Sequence, residues 1–199
     1  MSEIPAILRA ARAVLESIEP RAAAPYLRLW PAVTAPRCAQ ARPLPVLGWL
    51  PAAAGRAPRG PLAALAAVLV SAADALAWQQ SYREPDVSRD FLDGYGWSEF
   101  VGRAAPVESG ALAVGVLLLG PRTHYPAHHH VALELYVPLS GTARWQQGSG
   151  PFAMRAPGSA IEHASNEPHA MRTDDEPLLA LYCWRGAGIG DSASLNAPA

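Results

Sequence analysis

From residue 111 onward the chain is a series of short apolar runs, each closed by glycine or proline. Residues 111–119 end at Gly120-Pro121, 128–137 at Pro138 and Gly141, 142–147 at Gly148-Ser149-Gly150, and 152–155 at Pro157-Gly158. Residues 159–163, 170–173 and 178–184 continue the series. Short strands with turn signals at about 8–12-residue spacing fold into a sandwich or barrel. The chain before about residue 105 reads as helical. Ile4, Ile7, Leu8, Ala11, Val14, Leu15 and Ile18 recur at helical spacing, Ser2 stands where an N-cap would, and Glu19-Pro20 ends the pattern. A short helix over 24–30 follows, then a Pro/Gly-rich loop with one helical turn over 31–60. A long helix is expected from Pro61 to about Tyr82, and a loop with a short helix over 83–100, carrying Phe91, Leu92, Tyr95, Trp97 and Phe100. The expected division is an α-helical region over 1–105 packed on a β-barrel over 106–190, with a flexible tail over 191–199.

Composition removes several function classes. The 199 residues are half hydrophobic and carry a net charge of −1, so nothing electrostatic favours nucleic acid or an anionic membrane surface as partner. All 16 basic residues are arginine, which excludes a Schiff-base or phosphate-loop lysine. The two cysteines, Cys38 and Cys183, are too few for a disulfide framework or a zinc knuckle. Cys183 lies in the apolar run 178–184 and reads as a buried free thiol. The apolar run from Leu62 to Trp78 is interrupted by Ser71 and Asp74 and reads as a helix of a soluble fold rather than a membrane span. The N-terminus has Arg9, Arg12 and Glu16 where a signal peptide would be apolar, and the chain is read as cytoplasmic.

The segment His128-His129-His130-Val131-Ala132-Leu133-Glu134-Leu135-Tyr136 carries the chemistry. In an extended strand, side chains alternate faces. His128, His130, Ala132, Glu134 and Tyr136 then share one face, and the mostly apolar His129, Val131, Leu133, Leu135 and Val137 share the other. A bend between His130 and Glu134 would break that shared parity. Imidazoles and a carboxylate converging on one point suit a divalent transition metal, and Zn, Fe(II), Mn, Co and Ni all fit such donors.

His128-x-His130-(x)3-Glu134-(x)6-Gly141 has the internal spacing of the first cupin motif, with Gly120 farther upstream than in the usual pattern. Pro157-Gly158 supplies the turn that precedes the second half of such a site, where His163 or His169 can complete the ligand set. His169, opening a strand after Pro168, is the preferred ligand, and His163 is read as structural or substrate-facing. The chain further resembles the cupin-type dimethylsulfoniopropionate (DMSP) lyases. The resemblance rests on Tyr125-Pro126 before the histidines, Tyr136 after them, Pro168-His169-Ala170-Met171-Arg172-Thr173, Trp78-Gln79-Gln80-Ser81-Tyr82, and Gly94-Tyr95-Gly96-Trp97. It covers about residues 75 to 186. It implies a mainly β cupin (double-stranded β-helix, jelly-roll) barrel with an α-helical N-terminal extension. It also implies a divalent metal held by His128, His130, Glu134 and His169, with His128 or Tyr136 completing the shell. The reaction implied is cleavage of DMSP to dimethyl sulfide and acrylate, with a tyrosine as base.

That chemistry is reasonable on its own terms. Elimination requires loss of a proton next to a carboxylate, and a cation on that carboxylate stabilises the charge that develops. A free phenol titrates too high to act as a base near neutrality, and a nearby metal lowers it. Tyr136 is the first candidate base, and Tyr125 is the reserve or a hydrogen-bond donor to the substrate carboxylate. The sulfonium suits an aromatic face, with Trp184 first and Tyr182, Trp97 and Tyr82 also available. Two other functions remain open at this level. One is a cupin dioxygenase or isomerase acting on another small carboxylic acid. The other is a non-catalytic, metal-dependent module that binds a small acid. The helical half can cover the barrel or form the seam of a homodimer.

Overall fold

The computed structural model describes residues 3–32, 37, 40 and 42–196. Two helices open the chain, α1 (Ile4–Ser17) and α2 (Pro20–Leu27). The expected Ser2 cap, like Cys38, lies outside the described residues. The second helix begins earlier than expected. Pro20 enters its first turn, where a missing N–H costs nothing, and the Glu19 carboxylate accepts from the Arg21 N–H. A 3₁₀ turn over Pro45–Trp49 leads into α3 (Leu50–Ala54), and α4 covers Pro61–Ala72. The expected run to Tyr82 stops there. The chain passes through a further 3₁₀ turn, Ala73–Ala75, and becomes extended so that Gln79 exchanges both backbone hydrogen bonds with Trp97. Tertiary pairing overrides the local alanine-rich helix propensity here. Among the described residues, no helix is long and apolar enough to cross a membrane.

After α5 (Arg89–Asp93), capped by the Ser88 hydroxyl, the chain is β-structure. The strands are β1 (Tyr95–Gly102), β2 (Val107–Glu108), β3 (Leu112–Leu119), β4 (His124–His129), β5 (Leu133–Ser140), β6 (Ala143–Gln147), β7 (Ala153–Arg155), β8 (Ile161–His163), β9 (His169–Thr173), β10 (Leu178–Arg185) and β11 (Ser194–Leu195). They form a six-stranded sheet in the order β2-β1-β3-β10-β5-β8 and a five-stranded sheet in the order β11-β4-β9-β6-β7. This is a mainly β cupin barrel with N-terminal helices. Three local expectations change. The end of the segment 83–100, read as a loop with a short helix, belongs from Tyr95 onward to β1. The single strand expected over 128–137 is two strands in different sheets. The segment read as a flexible tail contributes β11, where Ser194 and Leu195 pair with His129 and His128 and the Asn196 N–H donates to Ala127 O.

Strand parity divides the interior into two cores. On β10, Leu179, Leu181 and Cys183 face the helices, with Leu135, Val137 and Leu139 of β5 beside them and Ile7, Leu8, Leu15, Leu65 and Leu69 opposite. Leu178, Ala180 and Tyr182 face the second sheet, with Tyr136, Trp145 and Met171. Strand β3 is buried along its whole length because helices cover one face and the second sheet covers the other. Cys183 is a buried free thiol, as expected, and burial raises its pKa.

Candidate metal centre and cavity

The break between β4 and β5 shapes the site. His128 ends up on the five-stranded sheet, paired across it with His169. Glu134 and Tyr136 lie on the six-stranded sheet, paired with Trp184 and Tyr182. His130 sits in the connection between them. Ligand atoms of His130, Glu134 and His169 come within 4.8 Å of one another, and all three residues are buried. His130 Nε2 is 2.9 Å and His169 Nε2 is 3.2 Å from the same Glu134 oxygen, Oε2. The other oxygen, Oε1, accepts from the Trp184 indole N–H at 2.6 Å. His128 stands beside the group, its ring 4.1 Å from that of His169 and stacked 4.0 Å from Tyr125.

Backbone carbonyls set the histidine tautomers. Nδ1 of His128 lies 2.9 Å from Pro126 O, Nδ1 of His130 3.0 Å from Ala132 O, and Nδ1 of His169 2.9 Å from Glu167 O. A carbonyl only accepts, so each Nδ1 carries the proton and each neutral ring keeps its Nε2 lone pair free. His169 Nε2 is buried with no hydrogen-bond partner. Two imidazoles and a carboxylate therefore converge on one place, in a group that could hold a metal ion. The donor set fits a divalent transition metal.

The group is also strongly coupled electrostatically. Burial works to raise the Glu134 pKa, but His130 and His169 outweigh it and hold the carboxyl well below the usual range. Burial, then neighbouring His169, depresses His128 strongly. His130 is opposed by burial yet raised overall by Glu134.

A cavity of about 820 Å³ opens beside this group, and His128, Glu134, Tyr125, Tyr136, Tyr182 and Trp184 are on its wall. Tyr136 lies two residues after Glu134 on the same strand, β5. Burial first, and Glu134 second, push that phenol well above its ordinary pKa. Tyr125 is raised by burial and by Tyr95 and Tyr82, whose hydroxyls lie 3.4 and 3.1 Å from its own. Neither phenol ionises near neutrality from the protein's own charges.

The structure thus brings together His130, Glu134 and His169, with His128, Tyr125, Tyr136 and Trp184 at the cavity. His163 is placed elsewhere: it stacks 4.0 Å behind the His169 ring, with neither ring nitrogen hydrogen-bonded, and is absent from the cavity wall. Burial, then His169, lowers its pKa to about 3, so it is neutral. Trp97, among the aromatics the sequence offered for the sulfonium, is on the cavity wall, and sequence reasoning missed Tyr95 and Glu99, which share its face of β1 on the same wall. Their period-two spacing was the available signal, hidden by an adjacent helix. It also missed the Trp184–Glu134 bond.

Barrel, buried His/Glu group and cavity together define a cupin with a group that could hold a metal ion. Within that class the chain belongs to the DMSP lyase family, whose model matches residues 29–180. It is 33% identical over 124 residues to the DMSP lyase DddQ of Ruegeria pomeroyi, an alignment spanning 62% of each chain and so a little under two thirds of that relative's length. A chain from the crystal structures of the DMSP lyases RdDddP and RnDddQII superimposes with a TM-score of 0.84 at 35% identity, over 98% of both chains. The DddQ crystal structure from Ruegeria pomeroyi DSS-3 superimposes with a TM-score of 0.77 at 26% identity, over 96% of this chain and 98% of that one.

Proposed function

We propose that this chain is a metal-dependent carbon–sulfur lyase that cleaves DMSP to dimethyl sulfide and acrylate. The observation that carries the reading is the buried group of acceptors on His130, Glu134 and His169 at the edge of a tyrosine-lined cavity, in a chain of this family. The ligands proposed are His130, Glu134 and His169, with His128 or Tyr136 adjoining. Zn, Fe(II), Mn, Co and Ni are the candidate ions. When bound, the metal supplies a positive charge that binds the substrate carboxylate and acidifies the neighbouring C–H.

The chain's own residues do the rest. Tyr136, in its phenolate form, takes the proton from the carbon next to the carboxylate. The C–H electron pair becomes the new C=C bond, and the β-carbon–sulfur bond breaks with its pair leaving on sulfur. The products are acrylate and neutral dimethyl sulfide, and the proton rests on the Tyr136 oxygen. Tyr125, held by Tyr82 and Tyr95, orients the substrate carboxylate and is the second candidate for the base. Trp184 presents its ring to the cavity while its N–H fixes Glu134. His163 backs His169 and is proposed as support rather than substrate contact.

Headspace gas chromatography on purified, metal-loaded protein, with a chelated control, tests the proposal. Metal-dependent release of dimethyl sulfide is the expected result. No release with any of the candidate ions refutes the substrate assignment. The readings of a cytoplasmic location and a homodimer belong to this proposal and rest on the sequence alone; sedimentation of the purified protein tests the dimer.

A further inference from the structure

A second carboxylate, Glu99, stands on the cavity wall away from the proposed metal ligands. Register places it in a row: Glu99 of β1 opposite Gly115 of β3, Gly115 opposite Tyr182 of β10, and Tyr182 opposite Tyr136 of β5. Two glycines clear the space for this pair. A Cβ on Gly102 would fall 2.0 Å from Glu99 Oε1, and one on Gly115 would fall 2.5 Å from the Tyr182 hydroxyl. Tyr182 can therefore lie across β3 and donate its O–H toward the Glu99 carboxylate. No cationic nitrogen of the described residues forms an ion pair with Glu99, although the chain has Arg103 nearby on the same wall. Trp97, two residues earlier on β1, and Trp184, whose ring is 6.1 Å from that of Tyr182, also face the cavity.

A largely desolvated carboxylate with one neutral donor and no counter-charge is a poor structural element. Aromatic rings beside it would favour a soft, methylated cation. We infer that Glu99, seated on Tyr182 and flanked by Trp97 and Trp184, is the subsite that recognises the cationic end of the substrate. The inference rests on the proposed lyase reading for the identity of that cation as a sulfonium. The chain would then grip a zwitterion at both ends, with its carboxylate at the His/Glu group and its cation at Glu99. Burial raises the Glu99 pKa to about 7, against the smaller lowering effect of the Tyr182 hydroxyl, so an arriving cation would also favour its ionised form.

The test is binding, measured by calorimetry on metal-loaded protein with two non-sulfonium probes of matched shape. One is β-alanine betaine, which carries a trimethylammonium group. The other is its carbon isostere, a carboxylate whose tert-butyl end carries no charge. The native protein should prefer the betaine, and Glu99→Gln should weaken betaine binding about tenfold or more while leaving the tert-butyl isostere within about twofold. Tyr182→Phe, which removes the donor without the charge, should weaken the preference less than Glu99→Gln does. Equal loss of both probes in Glu99→Gln would show a structural role and overturn the assignment, as would unchanged betaine affinity. Dimethyl sulfide release is read separately. Absence of release with a preserved betaine preference defeats the lyase reading and leaves the cation subsite in place.

Discussion

The single hydrogen bond from Trp184 to Glu134 offers a quantitative test of how the site is held. Glu134 is 1% exposed, and its two oxygens have different tasks. Oε2 faces the two imidazoles, while Oε1 has the indole N–H at 2.6 Å. Trp184→Phe removes that donor and leaves a buried carboxylate oxygen without a partner. The aromatic ring that lies 4.2 Å from His130 is retained. A hydrogen bond to a charged group contributes about 1.5–3 kcal/mol. If that contribution is lost on the metal-bound form through misorientation of Glu134, metal affinity should fall about 10- to 100-fold, the range known for groups that orient ligands. The assay is competition for Zn²⁺ against a chromophoric chelator, with unfolding followed in parallel. The reasoning is refuted if Trp184→Phe folds normally and binds metal within about threefold of the native protein.

Four further outcomes are expected. Tyr136→Phe should retain metal, measured by elemental analysis, and lose dimethyl sulfide production by about 10³-fold or more; retained turnover would pass the base role to Tyr125. Adding a fitting divalent ion to chelator-stripped protein should raise the Tm in a concentration-dependent way, because the ion binds the folded His/Glu group and not the unfolded chain; a Tm indifferent to every candidate ion would count against the site. Gly115→Ala should cost about 1–3 kcal/mol in urea unfolding, since the new Cβ would fall 2.4 Å from Ser98 O and 2.5 Å from Tyr182 Cζ; an unchanged midpoint would mean Tyr182 does not lie where described. Glu99 titrates at about 7 in the folded protein against an ordinary 4.5, so its contribution is full below pH 4.5 and is lost as pH rises through about 7. Glu99→Gln should therefore flatten the stability loss of metal-free protein between pH 5 and 8 by about 1–3 kcal/mol, and an identical slope in both proteins would contradict the burial of Glu99.

What the sequence made legible follows from how local each signal is. The faces of β5 were readable because Glu134 and Tyr136 alternate with Leu135 and Val137 inside one strand. The turns were readable because Gly141 and Gly158 have positive φ, 80° and 84°, which side chains resist. A bend between His130 and Glu134 could be envisaged from the sequence, but the split into two sheets could not be read from it, since nothing in His130-Val131-Ala132 breaks a strand as proline or glycine would. It is imposed by the need to cross from one sheet to the other. Strand β1 was misread for the opposite reason. Ser88 caps a genuine helix just before it, and its aromatic residues fit helix and strand spacing alike. The segment 192–196 looked disordered because its order comes from pairing with β4 and from Asn196 Oδ1 on His129, 67 residues away in sequence.

The split strand also explains how a site of this kind can be both buried and open. Had 128–137 run as one strand, all its polar groups would line one sheet, and a single facing strand would have to supply the rest. Instead His169 comes from the five-stranded sheet and Glu134 from the six-stranded sheet, with His130 spanning the turn between them. The group forms only when the two sheets close on each other, which keeps Glu134 and His169 away from bulk water. The strand positions that continue past it on the six-stranded sheet, Tyr136, Tyr182 and Glu99, are then free to line the adjoining space. Metal affinity in such an arrangement should track barrel closure. Substitutions that loosen the sheet-to-sheet core at Trp145 or Met171, neither of them a proposed ligand, should weaken metal binding and folding together, whereas Glu99→Gln should leave metal affinity unchanged.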